Sequence, residues 1–312
     1  MSILNTLSRL AIGTGLTAAL FGMVTLPTHA EEEATTEQAA AAASEQAATA
    51  DQAAATEQEG AAEGESDLAK AVQNPIGSLI SVPIETTFDF GAPDGEATFV
   101  SIQPVIPIRW GDINLINRTI IPLIDAPGPL IGVPGIPNPI QGDGATGLGD
   151  INHSVFFSPA KAGDFIYGIG PSISFPTASD PLLGSEKWSL GPTAVILTQP
   201  KPWSLGVLAR NIWSVGGASD RADVNQFLLQ PFVTYNLDDG WYLTSNPVLT
   251  ANWNADSSGE RWNIPLGGGF GKLHKFGNQP VNLRLESYYN VRKPTGAADW
   301  NLRFTVQFLF PK

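Results

Sequence analysis

The sequence predicts an all-β fold, a transmembrane antiparallel up-and-down β-barrel of about 12 strands behind a disordered or partly helical N-terminal segment. Three observations predict it. After residue 81, no apolar run approaches the ~18 residues that a spanning helix needs. Segments of about ten residues or slightly more instead alternate apolar with polar side chains, as strands of a membrane barrel do. The eight tryptophans fall at the ends of these segments.

The composition lies between that of a soluble protein and that of a helical membrane protein. Charged residues make up only 15% of the 312 residues. Residues 31–67 hold 11 of the 30 acidic residues and no basic one, so residues 68–312 carry 19 acidic and 16 basic residues. No basic surface for nucleic acid is therefore expected. The absence of cysteine excludes disulfides, thiolate metal sites, iron–sulfur clusters and a cysteine nucleophile.

Residues 1–30 have the pattern of a secretory signal peptide. Arg9 precedes an apolar stretch from Leu10 to Leu26, and Thr28-His29-Ala30 precedes a run of three glutamates. We expect cleavage after Ala30, which leaves the following segment in the periplasm. A retained membrane anchor is the alternative, although the apolar stretch is at the short end for a spanning helix.

Residues 31–67 form an acidic low-complexity spacer that is rich in Ala, Glu and Gln. The spacer has no aromatic and no branched aliphatic residue, so it cannot bury a core, and we expect disorder or transient helix. A tether or partner-binding arm is the functional alternative. Residues 68–81 place apolar side chains at helical spacing around Pro75, which predicts a short amphipathic helix that could plug the periplasmic mouth of the barrel.

Residues 82–312 are predicted to form the barrel. The last strand alternates most clearly, because Phe304 and Phe308 would face lipid while Arg303 and Thr305 would face the interior. An open sheet edge would leave unpaired backbone groups in lipid, so only a closed barrel suits such strands, and bacterial barrels have an even strand count. We predict twelve strands, at residues 82–91, 97–110, 113–124, 149–159, 163–176, 186–199, 202–215, 225–237, 240–253, 260–273, 279–293 and 298–310.

The predicted connections fit a barrel whose N-terminus lies in the periplasm. The turns at Gly111, at 160–162, at Pro200 and at Asp238 are tight, whereas the turn at 273–279 is longer. The opposite strand ends should carry the outer loops. We place these loops at residues 91–97, 125–148, 176–186, 215–225, 253–260 and 293–298.

The tryptophans predict an aromatic girdle at both membrane interfaces. Outer-membrane lipid is therefore the expected partner of the outer face, and the C-terminal strand at 300–310 is the expected signal for the barrel-assembly machinery. A soluble β-sandwich with core tryptophans is the alternative, but it does not explain their placement. The girdle residues are Trp110, Trp203 and Trp241 at periplasmic ends, and Trp188, Trp213, Trp253, Trp262 and Trp300 at outer ends.

Eight prolines lie inside predicted strands, where each removes a donor from the hydrogen-bond ladder. We expect bulges or ladder breaks there, which serve either the lumen or the curvature of the barrel. The prolines are Pro104, Pro107, Pro122, Pro171, Pro192, Pro231, Pro247 and Pro265.

Strand parity places nine charged side chains in the lumen, because a charge that faces lipid at mid-depth costs ~2–4 kcal/mol. Closure sets the first strand beside the last, so Glu85 and Asp89 should lie near Arg284, Glu286 and Arg303. The cluster is either a constriction that selects solutes or an ion-pair ladder that fills a narrow barrel and fixes its register. The nine candidates are Glu85, Asp89, Arg118, Arg210, Arg261, Arg284, Glu286, Arg292 and Arg303.

The sequence offers no convincing arrangement for catalysis or metal binding. His153 and Ser154 are adjacent in a strand and therefore point to opposite faces, which excludes a nucleophile and base pair. Asp150 is near His153 but lies in a glycine-rich loop without a matching nucleophile. His274 is isolated in a turn beside two lysines. We therefore expect no enzymatic activity, no metal and no cofactor.

Several different short motifs occur along the barrel sequence. They are NPIGSLISVP at 74–83, RTIIP at 118–122, GLGD at 147–150, LGSEKW at 183–188, ADVN at 222–225 and FLFPK at 308–312. In order and spacing, the motifs resemble those of a large family of bacterial outer-membrane proteins. That family is often labelled transporter-like or neuromedin U, and it is related to the barrels of phenol meta-degradation pathways. The likeness covers nearly all of residues 70–312 and implies a barrel and transport, but it transfers no functional residues.

The expected function is passive or substrate-selective passage of small solutes across the outer membrane of a Gram-negative bacterium, with hydrophobic or aromatic solutes suggested by the family likeness. The alternative is a closed structural or adhesive barrel whose lumen is filled by arginine and glutamate side chains. Small side chains on the inner face should leave room for a solute. These residues are Gly168, Gly170, Gly191, Gly206, Gly267 and Gly269.

Overall fold

The structure, a computed structural model, describes residues 68–161 and 163–311. The predicted signal peptide and acidic spacer lie outside the described residues. Residues 68–73 are helical, and this helix ends just before Pro75, where the sequence predicts a break. No helix in the described part of the chain is long and apolar enough to cross a membrane.

Fifteen strand segments form one antiparallel sheet. The last segment pairs with the first along its whole length, from Ile80 opposite Phe310 to Phe90 opposite Trp300, so the sheet closes on itself. The segments are β1 (Ile80–Phe90), β2 (Thr98–Ile102), β3 (Val105–Trp110), β4 (Ile113–Ala126), β5 (Ala145–Leu148), β6 (Ile151–Pro159), β7 (Phe165–Phe175), β8 (Lys187–Thr198), β9 (Trp203–Gly217), β10 (Asn225–Asn236), β11 (Trp241–Ser245), β12 (Leu249–Asn252), β13 (Trp262–Phe276), β14 (Gln279–Arg292) and β15 (Trp300–Phe310). Short 3₁₀ helices span Pro181–Leu183 and Asp238–Gly240.

The fifteen segments make twelve strands of the barrel, because three of those strands are each broken once. β2 and β3 follow one another along β4, and β5 and β6 do the same. β11 and β12 both lie between β10 and β13. The fold is therefore a closed 12-strand antiparallel barrel, which confirms the predicted fold class.

Prolines mark most of the irregular points in the wall. Pro104 separates β2 from β3, Pro247 separates β11 from β12, and Pro265 lies at a register shift in β13. Pro171 in β7 and Pro192 in β8 face each other, and the ladders on both sides of this pair are interrupted. Pro122 lies beside the break between β5 and β6, and Pro231 lies opposite the break between β11 and β12. The expected breaks therefore occur at seven of the eight prolines, because proline has no N–H to donate, and Pro107 alone lies away from an interruption.

The outer face of the wall is apolar and the inner face is polar. Large hydrophobic side chains such as Ile108, Ile169, Leu266 and Phe304 are exposed on the outside. The inside holds serine, threonine, asparagine and charged side chains that are almost inaccessible. This arrangement inverts the distribution of a soluble protein and suits a wall between lipid and a polar lumen.

The tryptophans form two bands near the rims of the barrel. Phe90 stacks on Trp300 with ring centroids 4.2 Å apart at one rim, and Trp203 packs edge-to-face on Tyr235 at 4.7 Å at the other. Both bands therefore include aromatic pairs that bury ring surface against ring surface. The structure places Trp110, Trp203 and Trp241 at one end of the wall, and Trp188, Trp213, Trp253, Trp262 and Trp300 at the other.

The two ends of the barrel differ in their connections, and we name them accordingly. The N-terminal end carries residues 68–79 and turns at 111–112, 160–164, 199–202, 237–240 and 277–278. The loop end carries connections at 91–97, 127–144, 176–186, 218–224, 253–261 and 293–299. The predicted long turn at 273–279 is wrong, because β13 extends to Phe276 and leaves a tight turn in which Gly277 has a φ of 61°.

Side chains tie the connections of the loop end to one another. Asp150 accepts hydrogen bonds from the backbone N–H groups of Ala178 at 3.2 Å and Ser185 at 2.7 Å. Glu260 accepts hydrogen bonds from the backbone N–H and the hydroxyl of Thr295, and these bonds hold the pKa of Glu260 below its usual value. The GLGD motif therefore anchors the next connection through its aspartate.

Candidate functional site in the barrel lumen

A cavity of about 380 Å³ occupies the lumen. Its volume lies within the range of small-molecule pockets, ~300–1,000 Å³. Glu286 does not line the cavity but is 1% exposed behind Arg284. Six of the nine predicted lumenal charges line it: Glu85, Asp89, Arg118, Arg210, Arg284 and Arg303.

Residues 68–79, which we call the plug segment, close the cavity at the N-terminal end. Ile76 is 3% exposed and belongs to an apolar cluster with Phe156 and other inward side chains. Gln73 donates from Nε2 to Asn236 Oδ1 at 2.6 Å. The segment predicted to be amphipathic therefore lies inside the mouth of the barrel.

The 127–144 connection covers the cavity at the loop end. Its residues 131–135 line the cavity. Gln226 accepts a hydrogen bond from the Gly135 N–H at 2.8 Å, and Thr250 donates its hydroxyl to the Gly132 carbonyl at 3.3 Å. Gln226 and Thr250 lie on β10 and β12, across the lumen from β4 and β5, so the connection crosses the mouth.

An ion-pair network lines the wall at β1, β14 and β15. Glu85 Oε2 lies 3.5 Å from Arg284 Nη2, and Glu85 Oε1 lies 3.7 Å from Arg303 Nε. Glu286 Oε2 lies 2.9 Å from Arg284 Nε, an ion pair without hydrogen-bond geometry. Tyr288 donates its hydroxyl to Glu286 Oε1 at 2.6 Å. The contacts that barrel closure predicts for Glu85 therefore form.

The break between β11 and β12 is tied to this network. The backbone N–H of Asn246 donates to Tyr288 Oη at 2.7 Å, and its carbonyl accepts from Arg303 Nη1 at 3.3 Å. The Arg303 guanidinium also lies 5.1 Å from the centroid of the Tyr288 ring. The ladder leaves backbone groups beside Pro247 without strand partners, and lumenal side chains form hydrogen bonds with these groups. This break therefore connects the wall to the lumenal network.

Two further arginines face the cavity without a carboxylate partner. Arg210 is 8% exposed and donates from Nη1 to Asn152 Oδ1 at 2.6 Å. Arg118 donates from Nη2 to Gln103 Oε1 at 2.8 Å. Among residues 68–161 and 163–311, neither arginine has an aspartate or glutamate within ion-pair distance.

Two predicted lumenal charges lie elsewhere. Arg261 precedes β13, and its guanidinium lies 5.8 Å from the ring centroid of Trp253. Arg292 ends β14, is exposed and donates to the Ser258 carbonyl. Both have inward parity but lie at the rim of the loop end, so their assignment to the lumen is wrong. Asp89 lines the cavity, but within the described part of the chain it forms no ion pair.

Two inner-face glycines accommodate packed side chains. A Cβ on Gly168 would lie 3.2 Å from Ile76 Cδ1 and 3.2 Å from Phe156 Cβ. A Cβ on Gly206 would clash with the Phe232 ring. The expectation that these glycines leave open space is therefore wrong at both positions, because the plug segment and a core aromatic ring fill it.

His153 and Ser154 point to opposite faces of the wall. Ser154 donates its hydroxyl to Ser172 Oγ at 2.9 Å inside the barrel. His153 Nδ1 lies 3.0 Å from Thr119 Oγ1 on the outer side. No group of three or more His, Cys, Asp or Glu side chains that could hold a metal ion occurs among the residues described.

Sequence analysis predicts that uncharged polar side chains such as Thr305 face the interior, but it leaves such side chains out of the candidate site. Asn152 donates from Nδ2 to Ser172 Oγ at 3.1 Å, and Tyr242 donates its hydroxyl to Asn282 Oδ1 at 2.8 Å. These side chains brace the wall between the charged positions. The strand alternation that assigns the charged residues to the inner face also assigns these polar residues to it. The sequence therefore contains the signal that could identify them.

The closed wall, apolar outside and polar inside around a cavity, defines a transmembrane β-barrel of the bacterial outer-membrane type. The structure is similar to the COG4313 outer membrane channel from Pseudomonas putida F1, with a TM-score of 0.53 and 12% identity over 76% of this chain and 97% of that chain. It is also similar to the NanC porin, with a TM-score of 0.46 and 10% identity over 74% of this chain and 100% of the porin. Outer membrane phospholipase A from Escherichia coli has a TM-score of 0.39 and 12% identity, over 75% of this chain and 96% of the enzyme. No family model and no curated protein matches the sequence.

Proposed function

We propose that the protein is an outer-membrane channel for small solutes and that the plug segment gates it. The observation that carries this proposal is the lumenal cavity of about 380 Å³, which lies between the plug segment and residues 131–135. A purely structural barrel would gain stability from a filled interior, because each void forfeits packing contacts. A cavity with charged and apolar walls instead suits a solute in transit.

In this proposal the N-terminal end faces the periplasm. Outer-membrane barrels carry short turns on the periplasmic side and longer loops outside, and the two ends of this barrel differ in the same way. We assign the barrel no enzymatic role, because His153 and Ser154 lie on opposite faces of the wall. Solutes would pass by diffusion.

The plug segment is held in the mouth by apolar contacts and hydrogen bonds that can be named. Burial of Ile76 contributes about 1.5–3 kcal/mol. The hydrogen bonds of Gln73 to Asn236 and of Gln199 to the Lys70 carbonyl contribute about 1 kcal/mol each. Val72, Pro75 and Leu79 are also partly buried, so withdrawal of the segment costs at least a few kcal/mol and the open state is the minor one.

A closed structural or adhesive barrel is the second candidate. The buried ion pairs of Glu85 and Glu286 and the covers at both ends favour it. Such a barrel would be silent in planar bilayers in every form. Its role would then lie in the connections of the loop end or in the acidic spacer.

Single-channel recording with the refolded mature chain tests the proposal. Because the chain has no cysteine, Gln73→Cys and Asn236→Cys together allow the plug segment to be tethered to β10 with a bifunctional methanethiosulfonate reagent. We expect the tethered protein to open rarely and to regain openings when a reductant releases the tether. The Gln73→Cys single variant, treated with the same reagent, is the matched control and should not respond to the reductant.

Two outcomes would count against the proposal. Openings that are identical before and after release of the tether would show that the plug segment does not gate the lumen. Silence in all forms, despite a heat-modifiable folded barrel, would favour the structural candidate.

A further inference from the structure

We propose that the lumen contains a binding site for small organic anions with an apolar body, held by the guanidinium groups of Arg118 and Arg210. The inference rests on the proposed channel function and specifies the class of solute that the channel would take. Both arginines line the cavity, together with the apolar side chains of Phe156, Leu208 and Phe232.

The charges of the cavity wall argue for an anion. Four arginines line the cavity against the carboxylates of Glu85, Asp89 and Asp150. None of these carboxylates lies within ion-pair distance of Arg118 or Arg210, although Glu85 attracts Arg118 from farther away. A buried cation without a counter-charge is unfavourable. Arg210 Nε, moreover, has no hydrogen-bond partner in the described part of the chain. A carboxylate in the cavity would supply both the counter-charge and the acceptor.

Polar side chains connect the two arginines along the wall. Arg118 is the ladder neighbour of Ser154, and the Ser154 hydroxyl donates to Ser172 Oγ at 2.9 Å. Asn152 donates to the same Ser172 oxygen at 3.1 Å and accepts from Arg210 at 2.6 Å. The two guanidinium groups therefore flank a continuous set of hydroxyl and amide groups. Such a set, with two guanidinium groups, provides the charge-assisted hydrogen bonds that an oxyanion favours.

The lumen turns apolar directly below this polar level. Residues two apart in a strand point to the same side, so each polar residue has one inward neighbour two positions nearer the N-terminal end. On four strands this neighbour is apolar and almost inaccessible: Ile116 below Arg118 on β4, Phe156 below Ser154 on β6, Val195 below Thr193 on β8, and Leu208 below Arg210 on β9. Ile76 of the plug segment completes the floor.

This layering fixes the orientation and the class of the ligand. A charged head would sit at the level of Arg118 and Arg210, and an apolar body would point towards the N-terminal end. An inorganic anion would leave the apolar floor unused, and a neutral aromatic molecule would leave the arginines without a counter-charge. A carboxylate attached to a single planar ring matches both the arginine level and the apolar floor. Guanidinium groups bind carboxylates through paired hydrogen bonds, and the ring would contact the apolar side chains.

Calorimetric titration of the refolded mature chain in detergent, with benzoate as the probe, tests the site. Benzamide lacks the charge of benzoate, and acetate lacks its apolar body. We expect both to bind at least about tenfold more weakly than benzoate, since each loses one of the two layers. This comparison uses the unmodified chain and does not depend on the folding of any variant.

Variants then identify the residues. Arg118→Gln and Arg210→Gln should each weaken benzoate binding by about ten- to a hundredfold, because each removes one charge-assisted contact. Arg210→Lys keeps the charge but loses the fork of donors. It should bind benzoate more tightly than Arg210→Gln and more weakly than the unmodified chain. Arg292→Gln, at the rim of the loop end, is the matched control and should bind benzoate as the unmodified chain does.

Equal binding of benzoate and benzamide would overturn the proposal. Unchanged benzoate binding in Arg118→Gln and Arg210→Gln would also overturn it, provided that heat modifiability shows both barrels to be folded. Conductance separates this inference from the channel function. A chain that conducts but does not bind benzoate keeps the channel and refutes the site, whereas a chain that binds benzoate but never conducts keeps the site and refutes the channel.

Discussion

Glu286 shows how much a single lumenal residue can contribute to the barrel. Its side chain is 1% exposed, and its two oxygens contact Arg284 and Tyr288. Loss of the carboxylate charge would leave Arg284 with only Glu85, at 3.5 Å. Removal of one partner of a buried ion pair costs about 3–5 kcal/mol. We therefore expect Glu286→Gln to lower the free energy of unfolding by about 3 kcal/mol, measured by urea unfolding in lipid vesicles.

Asp256→Asn provides the matched control for this substitution. Asp256 is exposed in the 253–261 connection, and such changes alter stability by no more than about 0.5 kcal/mol. If Glu286→Gln proves as stable as Asp256→Asn, the network does not fix the register of the wall. The charges would then serve only the solute path.

Strand alternation in the sequence predicts the twelve strands of the barrel and their inner faces, whereas the prolines, and not the alternation, mark where three of the strands break. Ser101 and Val105 both line the cavity although Pro104 interrupts the ladder between them. The parity pattern therefore runs through the break unchanged, and alternation alone indicates one strand. The break at Pro247 depends on groups from β14 and β15 that replace the lost ladder partners, and a single strand does not contain that information.

Ladder neighbours and contacts across the lumen differ in how far the sequence determines them. The contacts of Glu85 with Arg284 and Arg303 follow from the closure of the first strand against the last. The hydrogen bond between Arg210 and Asn152, in contrast, joins β9 to β6 past two intervening strands. That contact depends on the width of the barrel and on small side chains between the partners, which strand parity does not specify.

The contact between β7 and the plug segment offers a test at the level of the elements. Valine at position 168 would place methyl groups where Ile76 Cδ1 now packs, because even a Cβ there lies at 3.2 Å. We expect Gly168→Val to displace the plug segment, to speed its cleavage by added protease and to raise the open probability of the channel.

Gly216→Val in β9 is the control for this experiment, since no atom lies within 4 Å of an added Cβ at that position. Cleavage rates that are equal in the two variants would show that Ile76 does not hold the plug segment in place. Heat modifiability of both variants checks that the barrel itself still closes.

At the scale of the whole molecule, the lumen is covered twice. The plug segment covers it at the N-terminal end, and the 127–144 connection covers it at the loop end. An ion that crosses the barrel meets these covers one after the other, so their resistances add. Removal of one cover therefore leaves the other to limit the current.

This arrangement predicts how removal of each cover, alone or together, changes the current through the channel. Deletion of residues 68–79 should raise the open probability and leave the open-state conductance nearly unchanged, because the 127–144 connection still limits the current. Replacement of 127–144 by a short turn should raise the open-state conductance, and the two changes together should raise the mean current more than either change alone. Shortening the 253–261 connection, which does not line the cavity, is the control and should leave the conductance unchanged. A large rise in open-state conductance after deletion of residues 68–79 alone would contradict this prediction, because it would mean that the 127–144 connection is no barrier.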